Sequence, residues 1–164
     1  MRFELIDRVT AVEPGQSLQA IKALRLAEEY LQDHFPGHPV LPGVLMVEAM
    51  VQASAWLIRL ETDFTCSMVL LKEVRNVRYG QFVRPGDQMF IEVDLQKMGD
   101  GRALLKGRGR VDGQMVVSAR LELEYFNLAD RDPGMSDIDD SLRAEMRRRW
   151  MQVCAARSQA PVKT

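Results

Sequence analysis

Between Val44 and Leu60 apolar residues occupy nearly every position, on all sides of a helical wheel. A helix that is apolar all round is a buried one. Pro42 and Gly43 stand where it would begin, and proline is tolerated there because its missing N–H would have had no partner. Downstream the pattern changes. The runs "SMVLL", "QMFIEVDLQ", "RALLKGRGRV" and "QMVVSARLELEYF" are rich in Val, Leu, Ile and aromatic residues, with "MGDGR" and "VDGQ" between the last three. Asp-Gly between apolar runs is the strongest short hairpin signal, and "RPGD" at 84–87 marks a further turn. Residues 3–13 and 17–26 mix apolar and polar positions around "EPGQ" and read as two short strands, with a helical start as the alternative. Residues 31–43 carry Pro36, Pro39 and Pro42 with Gly37 and Gly43, which makes them an ordered loop. The pattern predicts an α+β domain over residues 1–128, a curved antiparallel sheet around one long central helix.

Residues 129–164 form an extension, a polar linker "ADRDPG" followed by an amphipathic C-terminal helix in "SDIDDSLRAEMRRRWMQVCAARS". Ser136 and Asp139 have the spacing of an N-cap pair. Acids cluster early in this helix and arginines late, which suits the helix dipole. Ile138, Leu142, Met146, Trp150 and Val153 make one apolar stripe, which must be buried because a lone helix of this length is marginal in water.

At 164 residues the chain suits one domain with a real core. Its net charge of -1 argues against a nucleic-acid binder, and Arg147, Arg148 and Arg149 read as the polar side of a capped helix. Cys66 and Cys154 lie far apart in no metal-ligand spacing, so neither a disulfide scaffold nor a thiolate metal site is expected. "MRFELIDRVTAVEPG" has no apolar h-region, and the apolar stretch Val40–Ile58 contains Pro42, Gly43, Glu48 and Gln52, which fit a buried helix better than a membrane span. A cytoplasmic protein with no membrane or nucleic-acid partner is the expectation.

Two groups in this frame carry chemistry. Glu48 is the only acid between His34 and Leu60, and Gln52, four positions on, shares its helix face. A carboxylate buried without a partner is costly, so folding alone rarely places one there, and the functional reading is an acid placed to move a proton. The bland reading is that Glu48 faces solvent or caps a loop. His34 and His38 both sit in the rigid loop, which holds a side chain at low entropic cost, and spacing alone does not choose between them. A metal site lacks support, because no histidine pair at helical spacing and no cysteine ligand accompany them.

"HFPGHPVLPGVLMVEAMVQA" closely resembles the signature of the FabZ-type (3R)-hydroxyacyl-acyl-carrier-protein dehydratases. The likeness extends through "IDRVTAVEPGQSLQAIKAL" and "VRPGD", over about residues 1–126. The resemblance implies the hotdog fold, an antiparallel sheet wrapped around one long helix, and a homodimer, or a trimer of such dimers, with an acyl tunnel at the subunit interface. It implies dehydration of (3R)-hydroxyacyl thioesters held on acyl carrier protein to trans-2-enoyl thioesters, in fatty acid or related lipid or polyketide synthesis, with no cofactor and no metal. The family histidine falls on His34 rather than His38, and the family acid on Glu48, supplied by the partner subunit. The backbone donor to the thioester carbonyl falls on Gly43, and the carbonyl that orients the histidine on Val40. Glutamate rather than aspartate at the acid position implies the plain dehydratase. Phe35, Met46, Val47, Met50 and Gln52 would line the tunnel, some of them doubling as core. Three features depart from the family pattern: Asp33 beside His34, the bulk of Val51, and the tail beyond about residue 129.

Lys72, Arg75, Arg78 and Arg84 fall close together with Glu73 as the only acid among them, a candidate docking patch for an acidic carrier protein or, blandly, a solvated strand face. The tail helix is expected to pack on its own dimer, with a lid over the tunnel mouth as a variant. Two rival functions remain open on the sequence: a hotdog thioesterase in which Glu48 activates water, and a non-catalytic acyl-binding or scaffold protein. Intact His34 and Glu48 speak against the second.

Overall fold

The structure, a computed structural model, describes residues 4–155. Its elements are β1 (Arg8–Glu13), β2 (Ser17–Ala23), α1 (Gly43–Glu61), β3 (Met68–Tyr79), β4 (Gln88–Gly99), β5 (Arg102–Val111), β6 (Gln114–Phe126) and α2 (Ser136–Ala155). The six strands form one sheet in the order β1-β2-β4-β5-β6-β3, every neighbouring pair antiparallel. The sheet curves around α1. The architecture is the α+β hotdog arrangement expected of the sequence, and both N-terminal runs are strands rather than a helical start.

The two Asp-Gly turns take the geometry their residues favour. Asp100 and Gly101 have φ of 52° and 71°, and Asp112 and Gly113 have φ of 49° and 78°. Positive φ at both central positions matches the right-handed twist of the strands that such a turn joins. Strand β5 alternates strictly, burying Ala103, Leu105, Gly107 and Gly109 and exposing Arg102, Leu104, Lys106 and Arg110. Small inward residues let the helix approach closely: a Cβ built on Gly107 would lie 2.7 Å from Met50 Sδ and 3.2 Å from Met50 Cβ. Ala49, Met50, Ala53, Ser54, Leu57 and Ile58 are the fully buried residues of α1. Among the described residues α1 is the one helix long and apolar enough to cross a membrane, and it is the core of this domain.

Strand β3 is an edge strand that runs well beyond "SMVLL", to Tyr79. Its second half is exposed on both faces, so the "KEVRNVRY" run shows no apolar alternation by which sequence could have recognised it. Leu70, Leu71, Val77 and Tyr79 are its exposed large apolar side chains.

Helix α2 packs on its own chain. Trp150 meets Trp56 of α1 with ring centroids 5.7 Å apart, and Met146 and Val153 join the same contact with the core. Ile138 is 47% exposed, so the N-terminal end of the predicted stripe is not buried. The Ser136–Asp139 capping pair is also corrected. Asp139 is 1% exposed and turns inward, accepting hydrogen bonds from Ser67 Oγ and from the Leu128 and Ala129 N–H groups, the latter two at 2.9 Å. Burial pushes the Asp139 carboxyl up. The bonds from Ser67, Ala129 and Leu128, with Arg143 nearby, outweigh that and hold it below the usual carboxylate value. Three short 3-10 turns, Glu29–Leu31, Leu128–Asp130 and Pro133–Met135, complete the connections. The end of the predicted tail helix, from residue 156, lies outside the described residues.

Candidate functional site

The proline-rich loop is stitched by its own backbone. Phe35 N–H donates to His38 O at 3.3 Å and His38 N–H returns to Phe35 O at 2.9 Å. Val40 N–H donates to His34 O at 3.0 Å, and His34 Nδ1 lies 3.1 Å from Val40 O. A carbonyl oxygen only accepts, so Nδ1 carries a proton, and in the neutral imidazole the lone pair is then on Nε2. The ring also stacks on Phe35, centroids 4.2 Å apart. His34 is half-buried; His38 is exposed and held only through its backbone.

The loop runs directly into the start of α1. Leu41 N–H is anchored on Val83 O at 2.9 Å, which ties the loop to the "VRPGD" turn. Pro42 takes the N-cap position, and its carbonyl accepts from Leu45 N–H at 2.9 Å and Met46 N–H at 3.2 Å. The first N–H groups of a helix, Gly43 among them, have no partner within the helix and carry its positive dipole end. A Cβ on Gly43 would lie 2.8 Å from the Tyr79 ring, so the residue is pinned against the end of β3.

Glu48 sits on the first half of α1, half-buried rather than fully buried, and it is not without a partner. Gln52 Nε2 donates to Glu48 Oε1 at 2.9 Å, while Gln52 Oε1 accepts from Leu5 N–H at 2.9 Å. The N-terminal segment thus fixes the amide, and the amide orients the acid. The shared helix face of Glu48 and Gln52 was legible in sequence; the Leu5 link, between distant positions, was not.

Glu48 opens onto a cavity of about 260 Å³. One wall is a single face of α1 made of Glu48, Val51, Gln52, Ala55, Trp56 and Arg59, spaced as one face of a helix. The opposite wall comes from α2, with Met146, Arg149, Gln152 and Val153, and Glu4, Ile6 and Val69 close the ends. Of the predicted lining residues only Gln52 borders this cavity. Met46, Val47 and Met50 are buried in the core, and Phe35 is an exposed loop residue. His34 does not border it either, and among the described residues no hydrogen bond or ion pair joins His34 to Glu48 of the same chain.

The basic quartet is divided. Lys72 reaches Glu124 at 3.8 Å and Arg75 pairs with Glu73 at 2.6 Å. Arg78 and Arg84 are exposed and enter no ion pair among the described residues. The three consecutive arginines of α2 are used within the chain: Arg147 donates to Asp63 O at 2.7 Å, Arg148 pairs with Glu145, and Arg149 binds Glu145 and Glu4. Among the described residues no group of three or more His, Cys, Asp and Glu side chains could hold a metal ion.

Comparison with known proteins gives three results. The FabA-like domain family matches residues 1–120. The 3-hydroxyacyl-acyl-carrier-protein dehydratase FabZ of Albidiferax ferrireducens is 41% identical over 130 residues, covering 77% of this chain and 87% of that protein. The enzyme of the same name from Symbiobacterium thermophilum is 35% identical over 131 residues, covering 80% of this chain and 92% of its own. Among solved structures, the dehydratase heterocomplex ApeI:P from Xenorhabdus doucetiae superposes with a TM-score of 0.66 at 21% identity, covering 82% of this chain and 90% of that one. A Streptococcus mutans protein, smu.793, bound to acetyl CoA superposes with a TM-score of 0.58 at 14% identity, over 77% of this chain and 93% of its own. At these identities the two structures speak for the fold.

Proposed function

This chain belongs to the FabA-like family and, within it, to the FabZ dehydratases, and from that premise we propose that it removes water from (3R)-hydroxyacyl thioesters carried on acyl carrier protein. The observation that carries the reading is the commitment of His34 Nδ1 to the Val40 carbonyl, at 3.1 Å. It leaves Nε2 free to act as a general base.

The steps balance as follows. His34 Nε2 takes the C2 proton, and the electron pair forms the C2–C3 double bond. Charge gathers on the thioester oxygen as the proton leaves, and the Gly43 N–H at the positive end of α1 meets it; losing one such donor typically costs about 100-fold or more in rate. The C3–O bond breaks, and the Glu48 carboxyl donates the proton that turns the leaving hydroxide into water. The proton gained by His34 and the proton lost by Glu48 are then exchanged with solvent. Gln52 holds Glu48 in place and Val40 holds His34.

The acid comes from a second copy of the chain. Two observations support this: among the described residues no bond joins His34 to Glu48 of the same chain and His34 does not line the cavity at Glu48, and β3 presents an unpaired edge whose Tyr79 is 55% exposed. A long strand edge with unpaired N–H and C=O groups is a template for pairing with another strand. Pairing across β3 would also cover the end of the strand that touches Gly43. This reading places the homodimer with its carrier protein in the cytoplasm.

The test is product analysis. Purified protein is incubated with 3-hydroxyacyl carrier protein, and the carrier is weighed intact by mass spectrometry. Loss of one water from the acyl group is the expected result. Release of free acid with bare carrier would instead establish a thioesterase, and no change in either would leave an acyl-binding protein.

A further inference from the structure

Helix α2 lies beyond the FabA-like match, which ends at residue 120, yet it supplies one wall of the cavity that Glu48 enters. The other end of that cavity is closed by Arg59, whose environment is unusual. Its Nε is buried without a hydrogen-bond partner, and the guanidinium makes no ion pair among the described residues. It rests instead over the Trp56 ring, 5.6 Å from the centroid. Burial brings its pKa down to about 10, with Cys66 acting weakly the other way, so it stays charged at neutral pH. Arg149 on the facing wall is different: Glu145 at 2.7 Å and Glu4 at 3.4 Å already satisfy it. Arg59 is therefore the one cation of this cavity whose fork still lacks an acceptor among the described residues.

Geometry sets what could supply it. From Glu48 to Arg59 the helix advances about 16 Å, and both side chains lean toward its N-terminus, so the acid and the guanidinium lie within about 16 Å of each other along one helix face. A chain whose reacting carbon lies at Glu48 and that follows this helix face runs toward Arg59. A methyl end arriving there would strip water from charged donors and return nothing, whereas an anionic acceptor would pair with them. The walls between, Trp56, Met146 and Val153, are apolar and suit the chain itself.

We propose that this cavity receives the far end of the substrate's acyl chain, that α2 closes it, and that Arg59 selects chains ending in a carboxylate over plain alkyl chains of the same length. The inference rests on the acyl-thioester reading above and names its substrate class.

The experiment compares kcat/KM for three carrier-bound substrates: 3-hydroxybutyryl, 3-hydroxydodecanoyl, and the dodecanoyl chain with a carboxylate in place of its terminal methyl. The enzymes are wild type, Arg59→Met, Arg59→Lys and Val153→Trp. The wild type should favour the carboxylate-ended chain over its methyl-ended match by about 10- to 100-fold, the range of a charge-assisted hydrogen bond. Arg59→Met should remove or reverse that ratio, and Arg59→Lys, which keeps charge without the fork, should leave an intermediate one. Val153→Trp should lower both long chains relative to 3-hydroxybutyryl. Equal ratios in wild type and the Arg59 variants, or no preference in wild type, would overturn the proposal. Should Arg59→Met fail to fold, the wild-type ratio and Arg59→Lys still decide. If no substrate is dehydrated by the wild type, the dehydratase reading itself fails; if 3-hydroxybutyryl is dehydrated and the end-group ratio is flat, only this inference does.

Discussion

Replacing Gly107 with alanine probes the contact that seats α1 against the sheet. The added Cβ would lie 2.7 Å from Met50 Sδ, 3.2 Å from Met50 Cβ and 3.3 Å from Met50 Cγ. The sulfur can swing aside, but the Cβ is fixed to the helix, so α1 must move by a few tenths of an ångström. Overpacking of this kind costs about 1–3 kcal/mol. Against it, Gly→Ala stabilises by about 0.4–1 kcal/mol through the unfolded chain, and Gly107 is not in the left-handed region where alanine would be strained. The balance is a loss of up to about 2.6 kcal/mol, or up to about 10 °C in Tm for a chain of this size. Met50→Ala alone should cost about 2–5 kcal/mol by leaving a cavity. In that background Sδ and Cγ are gone but the Cβ at 3.2 Å stays, so the steric term shrinks while the entropic term remains, and Gly107→Ala should cost less than in wild type. Urea denaturation of the four proteins, at one fixed concentration because assembly shifts apparent stability, reads the cycle. Additive effects of the two substitutions would refute the claimed contact between helix and strand.

Trp150→Ala should lower stability by about 1–3 kcal/mol, seen as a lower Tm, since Trp150 carries an aromatic contact as well as apolar burial; emission typical of a water-exposed indole in the intact protein would contradict that packing. Asp139 has its pKa held below the usual value in the folded state, so its contribution is present above pH about 4 and is lost as pH falls through the lower, folded value. Tryptophan emission should accordingly hold steady on acidification until below pH about 4, whereas Asp139→Ala should show loosened α2 packing already at neutral pH. Charge reversal at Arg78 and Arg84, the unpaired members of the basic quartet, should raise KM for carrier-bound substrate and leave a small thioester mimic unaffected; an equal rise for both would exclude carrier docking there.

How much of this could be read from the sequence follows the physics of each element. Helix α1 was legible because apolar residues surround it, and β5 and β6 because runs rich in apolar residues flank an Asp-Gly turn. The outer half of β3 was not, because an edge strand exposed on both faces has no alternation to show. Asp139 sits three positions after Ser136 and so has the spacing of a capping residue; only the tertiary approach of Ser67 and the 128–129 backbone turns it inward. Glu48 stood out as the lone acid of an apolar helix and Gln52 as its neighbour by four-residue spacing, whereas the rigid loop offered His34 and His38 alike and only the family resemblance chose His34. Which side chains border the cavity was not legible, because that depends on which face of α2 docks, and the helix has apolar residues enough for several dockings. Met50 looked equally suited to core and lining until the small inward residues of β5 placed it against Gly107.

The central claim is a dehydration centre built from His34 of one chain and Glu48 of another. Subunit mixing tests it most directly. His34→Ala and Glu48→Gln are each expected to be almost inactive when pure while remaining folded and assembled. Mixed under conditions of demonstrated subunit exchange, they form some dimers in which one site holds both intact groups. The account predicts that dehydration returns, to about a quarter of the wild-type rate for random pairing in equal amounts, since half of the dimers are mixed and each has one good site of two. Exchange without any recovery of activity would contradict it.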